Sequence, residues 1–140
     1  MRVMEKTING ASGSTRPSIL VVEDHRSLRL SLVIWLQCLF PGSLVVGVRS
    51  GEEALAHAGN APPDVVLMDI NLPGIDGIEA TYRMKALAHT TAVVVLSTHD
   101  TPHHRLVAEK AGAAGYIAKA DMEKQLQATV EGLLRSRTRP

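Results

Sequence analysis

The 140-residue chain has one cysteine, Cys38, so it cannot build a disulfide framework. A reducing cytoplasm is the setting this predicts, and Cys38, inside an apolar helical stretch, is expected to be core filler. Long apolar runs are also missing: nothing approaches the length of a bilayer span, and the amino terminus, with Arg2, Glu5 and Lys6, has no hydrophobic h-region. A soluble protein without membrane contact is the expectation. Neither sign of charge is in excess, and a formal net charge of +1 gives no general attraction to nucleic acid. Phosphate-binding glycine patterns are absent too. There is no G-x-x-x-x-G-K-S/T, and Gly112-Ala-Ala-Gly115 precedes a strand-like run where a dinucleotide loop would follow one.

What is present is alternation. Short β-rich apolar runs near 18–23, 44–48, 64–69, 92–97 and 115–118 take turns with helical patterns near 25–39, 51–58, 76–87, 103–111 and 122–134. Such βα repetition predicts an α/β domain, a five-stranded parallel sheet doubly wound with helices on both faces. One compact domain over 17–134 fits the length, and no second one does. Residues 1–16 read as a disordered leader and 135–140 as a basic tail. Ser50 and Glu53 form a capping box opening a helix that Gly59-Asn60 and Pro62-Pro63 end, and Asp100-Thr-Pro opens another that Gly112 ends.

Asp69 ends the buried run Val65-Val66-Leu67-Met68 and is followed by the turn residues Asn71, Pro73, Gly74 and Gly77. A carboxylate at that point lies where open α/β sheets place reactive groups. Glu23 and Asp24 stand at the end of another run, Ile19-Leu20-Val21-Val22. Several acids at adjacent strand ends raise one another's pKa unless a cation separates them, and an all-oxygen set suits Mg²⁺. The simpler reading of Asp24 is a helix cap. Ser97 and Lys119 close two further runs and are the donors a phosphoryl group needs. Five such groups in chain order, each at a predicted strand end, define a phosphoryl site.

With those residues, with Met68-Asp-Ile-Asn-Leu-Pro-Gly-Ile-Asp-Gly77, Leu96-Ser-Thr98 and Gly115-Tyr-Ile-Ala-Lys119, the chain resembles receiver domains of two-component response regulators, in the style of those fused to helix-turn-helix DNA-binding domains. The resemblance covers about Pro17 to Leu134. It implies a flavodoxin-like fold with strand order 2-1-3-4-5 and makes Asp69 the phosphoacceptor. Asp24, Asp69 and the main-chain carbonyl of Asn71 would ligate Mg²⁺, with Glu23 acting through water. Lys119 would pair with phosphoryl oxygens, Ser97 and Tyr116 would form the switch, and Asn71 and His99 would tune phosphate lifetime. It further implies a histidine kinase or phosphotransfer protein as phosphodonor, a possible homodimer, and a protein that assists only its own phosphorylation and dephosphorylation. In one respect the pattern departs: Ala120 follows Lys119 where many receivers have proline, so a cis peptide is not expected there.

Three features stand beside this. On the first helix, Leu28, Leu32, Trp35 and Leu39 make a buried stripe at 100° per residue, while Leu30, Val33 and Ile34 fall on the opposite face as a partner surface. His99, His103 and His104 cluster without the ligand spacing of a zinc site. A rival function, a phosphohydrolase of the haloacid-dehalogenase kind, needs a second aspartate where Asn71 stands. A stand-alone receiver is expected, with the amino-terminal half of a transcriptional regulator as the alternative.

Overall fold

The computed structural model describes residues 16–137. The expected leader lies outside the described residues except for Arg16, and so do the last three residues of the expected tail. The chain runs β1 (Ser18–Val22), α1 (Arg26–Leu39), β2 (Leu44–Val48), α2 (Gly51–Asn60), β3 (Val65–Asp69), α3 (Gly77–Leu87), β4 (Ala92–Ser97), α4 (Pro102–Ala111), β5 (Gly115–Ala118), a 3-10 turn (Lys119–Asp121) and α5 (Met122–Arg137). All pairings are parallel, in the order β2-β1-β3-β4-β5. No cis peptide occurs among the described residues.

Side chains of a strand alternate between faces, so each strand feeds two cores. Ile19, Val21, Val65, Leu67, Val94 and Leu96 pack with Leu32 and Leu36 of α1 and Leu126 and Val130 of α5. Leu20, Val22, Val66, Met68, Val93 and Val95 face Ala54 and Ala58 of α2, Ala80 and Met84 of α3, and Ala108 of α4. Burial on both faces explains the unbroken apolar runs. Truncating one central side chain, such as that of Leu67, would cost about 3 kcal/mol.

Local chemistry sets the helix ends. Ser50 Oγ accepts from Glu53 N at 3.1 Å, and Glu53 Oε1 accepts from Arg49 N at 2.9 Å, so the box closes one residue early. Thr101 caps α4 with Pro102 in the first turn, and Gly112, at φ 107°, ends it in the left-handed region. At α1 the cap is His25, whose Nδ1 accepts from Leu28 N at 3.4 Å. Asp24 is therefore not a cap, which leaves its carboxylate available to the rim.

Helix α1 corrects three expectations. Leu32 and Leu36 are its fully buried residues, whereas Leu28 and Trp35 are only partly covered. Cys38 is exposed, because it sits about 160° around the helix from Leu36. Val33 is not on the outer face: only about 60° from Leu36, it packs against the core and beside Gly47. At the other end, α5 continues through Arg137, so Arg135 to Arg137 are its last turn and not a tail. Arg135 returns to Glu131 at 3.1 Å, and Arg137 approaches Asp64 at 3.7 Å.

Candidate functional site

The strand order reverses at β1: the chain leaves it for β2 on one side and returns to β3 on the other. A crevice at the carboxyl ends of the strands on either side of that reversal is where open sheets hold their ligands. Register brings Val22 opposite Met68, Asp69 opposite Leu96, and Ser97 opposite Ala118. Glu23, Asp69, Ser97 and Lys119 therefore emerge along one rim, with Glu23 and Asp69 flanking the reversal.

Glu23, Asp24 and Asp69 each offer an oxygen within 4.8 Å of the others. Asp69 and Glu23 are buried, at 2% exposure each, while Asp24 is exposed. Lys119 Nζ lies 3.1 Å from Asp69 Oδ1 and 3.3 Å from Glu23 Oε1. Two carboxylates thus share one ammonium, with the Asp24 carboxylate beside them. Burial pushes the Glu23 carboxyl above its ordinary range, and the Asp69 charge adds to this; the His25 N–H and Lys119 oppose them without winning. Burial also pulls Lys119 down, but its hydrogen bond to Asp69, then both carboxylate charges, carry it above its ordinary value. The cluster lacks positive charge, and a cation there would relieve it.

Both loops at the crevice are fixed by main-chain contacts. Arg29 Nη1 donates to the carbonyls of Glu23 at 2.9 Å and Asp24 at 3.4 Å. His25 N donates to Glu23 Oε2 at 3.1 Å, which orients that carboxylate. Beyond β3, Asn71 N donates to Asp69 Oδ1 at 3.3 Å, and Gly77 N to the Ile70 carbonyl at 2.9 Å. A Cβ at Gly77 would lie 2.2 Å from the Asp69 carbonyl oxygen, so only glycine fits that approach. Arg29 was not legible as a site residue, since a basic residue six positions beyond Glu23 has no distinguishing pattern.

The remaining predicted residues form a second group. Ser97 is fully buried and its Oγ accepts from His99 N at 3.0 Å; no hydrogen bond joins it to Asp69 among the described residues. Tyr116 donates its hydroxyl to the His99 carbonyl. The Arg105 guanidinium lies 4.8 Å from the Tyr116 ring centroid and is held by Asp100 at 2.6 Å. One residue, His99, therefore links Ser97 to Tyr116, through its N–H and its carbonyl. The imidazoles of His99 and His104 stack at 4.9 Å. Among the described residues only Glu23, Asp24 and Asp69 converge as three potential ligands, so the histidines do not form a metal site.

An α/β domain of this strand order, with acids at the reversal and a lysine across from them, is the architecture of a signalling receiver. The model of the response regulator receiver domain family matches residues 19–131, and the chain belongs to that family. It is 34% identical over 126 residues, 90% of its length, to the transcriptional regulatory protein PrrA of Mycobacterium tuberculosis. Against the response regulator GacA of Pseudomonas syringae it is 39% identical over 112 residues, 79% of its length. The chain spans about half the length of these relatives, 53% and 52% respectively. Among solved structures it resembles a LuxR-family two-component response regulator from Aurantimonas, with a TM-score of 0.80 at 28% identity and 87% of each chain covered. The chemotaxis protein CheY4 of Vibrio cholerae matches with a TM-score of 0.77 at 27% identity, over 85% of this chain and 99% of that one.

Proposed function

We propose that this receiver domain is a phosphorylation switch in which Asp69 accepts a phosphoryl group from a histidine kinase or phosphotransfer protein. The observation that carries this reading is the convergence of Glu23, Asp24 and Asp69 beside Lys119 at the strand reversal. Lys119 and Asn71 N hold Oδ1 of Asp69, which leaves Oδ2 as the attacking oxygen. A new oxygen–phosphorus bond forms as the donor's phosphorus–nitrogen bond breaks, and the leaving imidazole keeps the electron pair and takes up a proton. Nothing is oxidised or reduced.

The acid set suits Mg²⁺: Asp24, Asp69 and the Asn71 main-chain carbonyl would hold it, and Glu23 would act through water. When bound, the ion supplies charge that offsets the carboxylates and the phosphoryl oxygens. Lys119 exchanges part of its carboxylate pairing for those oxygens. Ser97 turns its hydroxyl toward them and gives up the His99 N–H. That shift moves the backbone on both sides of His99, Tyr116 loses its acceptor, and the face of α4, β5 and α5 changes shape. A cleft of about 220 Å³, lined by Arg105, Glu109 and Tyr116, lies on that face. The relatives named as transcriptional regulators support a transcriptional output for the switch.

The test is incubation with acetyl phosphate and Mg²⁺, followed by intact mass. One added phosphoryl group of about 80 Da is expected, with its charge at Asp69 alone. Labelling of Asp69→Asn would overturn the assignment, and steady turnover of p-nitrophenyl phosphate would favour the phosphohydrolase.

A further inference from the structure

Glu52 stands on the exposed first turn of α2, next to the residues that cap the helix but not one of them. Its carboxylate reaches a different part of the chain. Oε2 accepts a hydrogen bond from Ile75 N at 3.1 Å, across 23 residues of sequence. Gly74, in the left-handed region at φ 74°, runs so close that a Cβ there would sit 2.5 Å from the same oxygen. The neighbouring Gly51 is buried, and a Cβ on it would meet Ile75 Cγ1 at 2.8 Å. Two successive residues of α2 therefore seat one loop segment, Gly51 under the Ile75 side chain and Glu52 under its backbone.

That segment belongs to the loop from Asp69 to α3. Its other anchors are the Gly77 N–H on the Ile70 carbonyl and the buried Leu72. Asn71, exposed and bonded through its N–H to Asp69 Oδ1, lies between the anchors. From this we infer that Glu52 is a positioning residue for the acid site: by clasping Gly74 and Ile75 it holds the loop in the conformation that presents Asn71 beside Asp69 to a divalent cation. The inference rests on the Mg²⁺ reading above. Mg²⁺ demands near-octahedral oxygens and tolerates displaced ligands poorly, so groups that orient its ligands influence affinity without touching it.

The experiment compares the full chain with Glu52→Ala and Glu52→Gln, by Mg²⁺ titration followed by amide NMR shifts and by hydrogen exchange of the Ile75 amide without metal. Glu52→Ala should weaken Mg²⁺ binding about three- to tenfold, less than the roughly ten- to hundredfold lost when a direct partner of a metal ligand is removed, because Glu52 holds the loop and not the ligand itself. It should also speed Ile75 exchange while leaving the melting temperature nearly unchanged. Glu52→Gln keeps an acceptor oxygen without the charge and should recover most of both effects. Parent-like affinity in the alanine variant would overturn the inference, and so would a glutamine variant as weak as alanine, since the carboxylate would then act only through its charge. A parent that binds no Mg²⁺ would bring down the metal reading, and this inference with it.

Discussion

At the amino-terminal end of the sheet, Asp64 has the partners a carboxylate needs: it accepts from Ser18 N at 2.8 Å and Ser18 Oγ at 3.4 Å, and Arg137 lies 3.7 Å away. At the carboxyl end, Asp69 shares a single ammonium with Glu23 and faces Asp24. Nearby at the first end, buried Thr91 donates to the Pro63 carbonyl at 2.6 Å, so that hydroxyl too has its partner. The second end is short of positive charge. One rim spends its polar groups on holding strands in register, and the other keeps like charges together at a cost in stability, as sites built for chemistry do.

The contrast predicts opposite responses to the same kind of change. Asp64→Ala should lower stability by about 2 kcal/mol, because charge-assisted bonds to β1 and an ion pair with α5 are lost, and should leave phosphorylation by acetyl phosphate intact. Asp69→Asn should do the reverse, abolishing phosphorylation without lowering metal-free stability at neutral pH. Urea unfolding and intact mass on both variants check this. A destabilised Asp69→Asn would show that the two rims are built alike.

Lys119→Met should come next, costing about 1 to 2 kcal/mol without metal, since two buried carboxylates lose their one cation. Lys119 has a raised pKa, so its stabilising contribution is complete below the ordinary lysine value of about 10.4 and is lost as pH rises through the higher folded value. Parent and variant should therefore converge only in strong alkali. Saturating Mg²⁺ should narrow the gap at neutral pH. Chemical unfolding between neutral pH and pH 11, with and without Mg²⁺, reads both effects.

Most of this rim was legible because strand ends announce themselves. An apolar run closing on Asp69, on Ser97 or on Lys119 states both the element and the position, and parallel order then brings those positions together. The sheet was readable for the same reason, to within a residue or two at each strand. Contacts between elements distant in sequence were not. That Glu52 holds Ile75, or that Arg29 holds the carbonyls after β1, depends on how a helix start meets a loop, and no spacing in the sequence encodes it. On α1 the outer face was overdrawn: Val33 is apolar like Leu30 and Ile34, and only the helix's rotation on the sheet shows that it belongs to the core. Arg135 to Arg137 looked like a tail because charge conceals a helical turn whose support is ionic and not apolar.

A smaller effect tests the charge shortage at the carboxyl rim. The Glu23 carboxyl is held above its ordinary pKa, so its protonated form is favoured by folding; stability is fully present below the unfolded value of about 4.3 and is lost as pH rises through the folded one. Glu23→Gln, which imitates the protonated form, should therefore be more stable than the parent at pH 7 without metal. The advantage should vanish below about pH 4, where the parent is itself protonated, and shrink with Mg²⁺. Thermal melts across this range decide it, and a less stable variant at pH 7 would place Glu23 with Asp64 as a structural acid.

The least effect on the fold is expected where the molecule has no partner of its own. Leu30 and Ile34 are 48% and 60% exposed on α1, the helix that begins at the acid loop, and are the side chains on which the expected partner surface rests. Changing both to glutamine should alter stability by less than about 0.5 kcal/mol, since neither leaves the core. Burying the pair against such a partner would contribute roughly 3 kcal/mol, so phosphotransfer from a protein donor should weaken a hundredfold or so, while labelling by acetyl phosphate, which needs no surface, is unchanged. Rates from the two donors, taken on the same double variant, separate docking from chemistry. Equal losses with both would mean that the change has reached the acid site through Arg29, and that α1 positions the rim instead of receiving a partner.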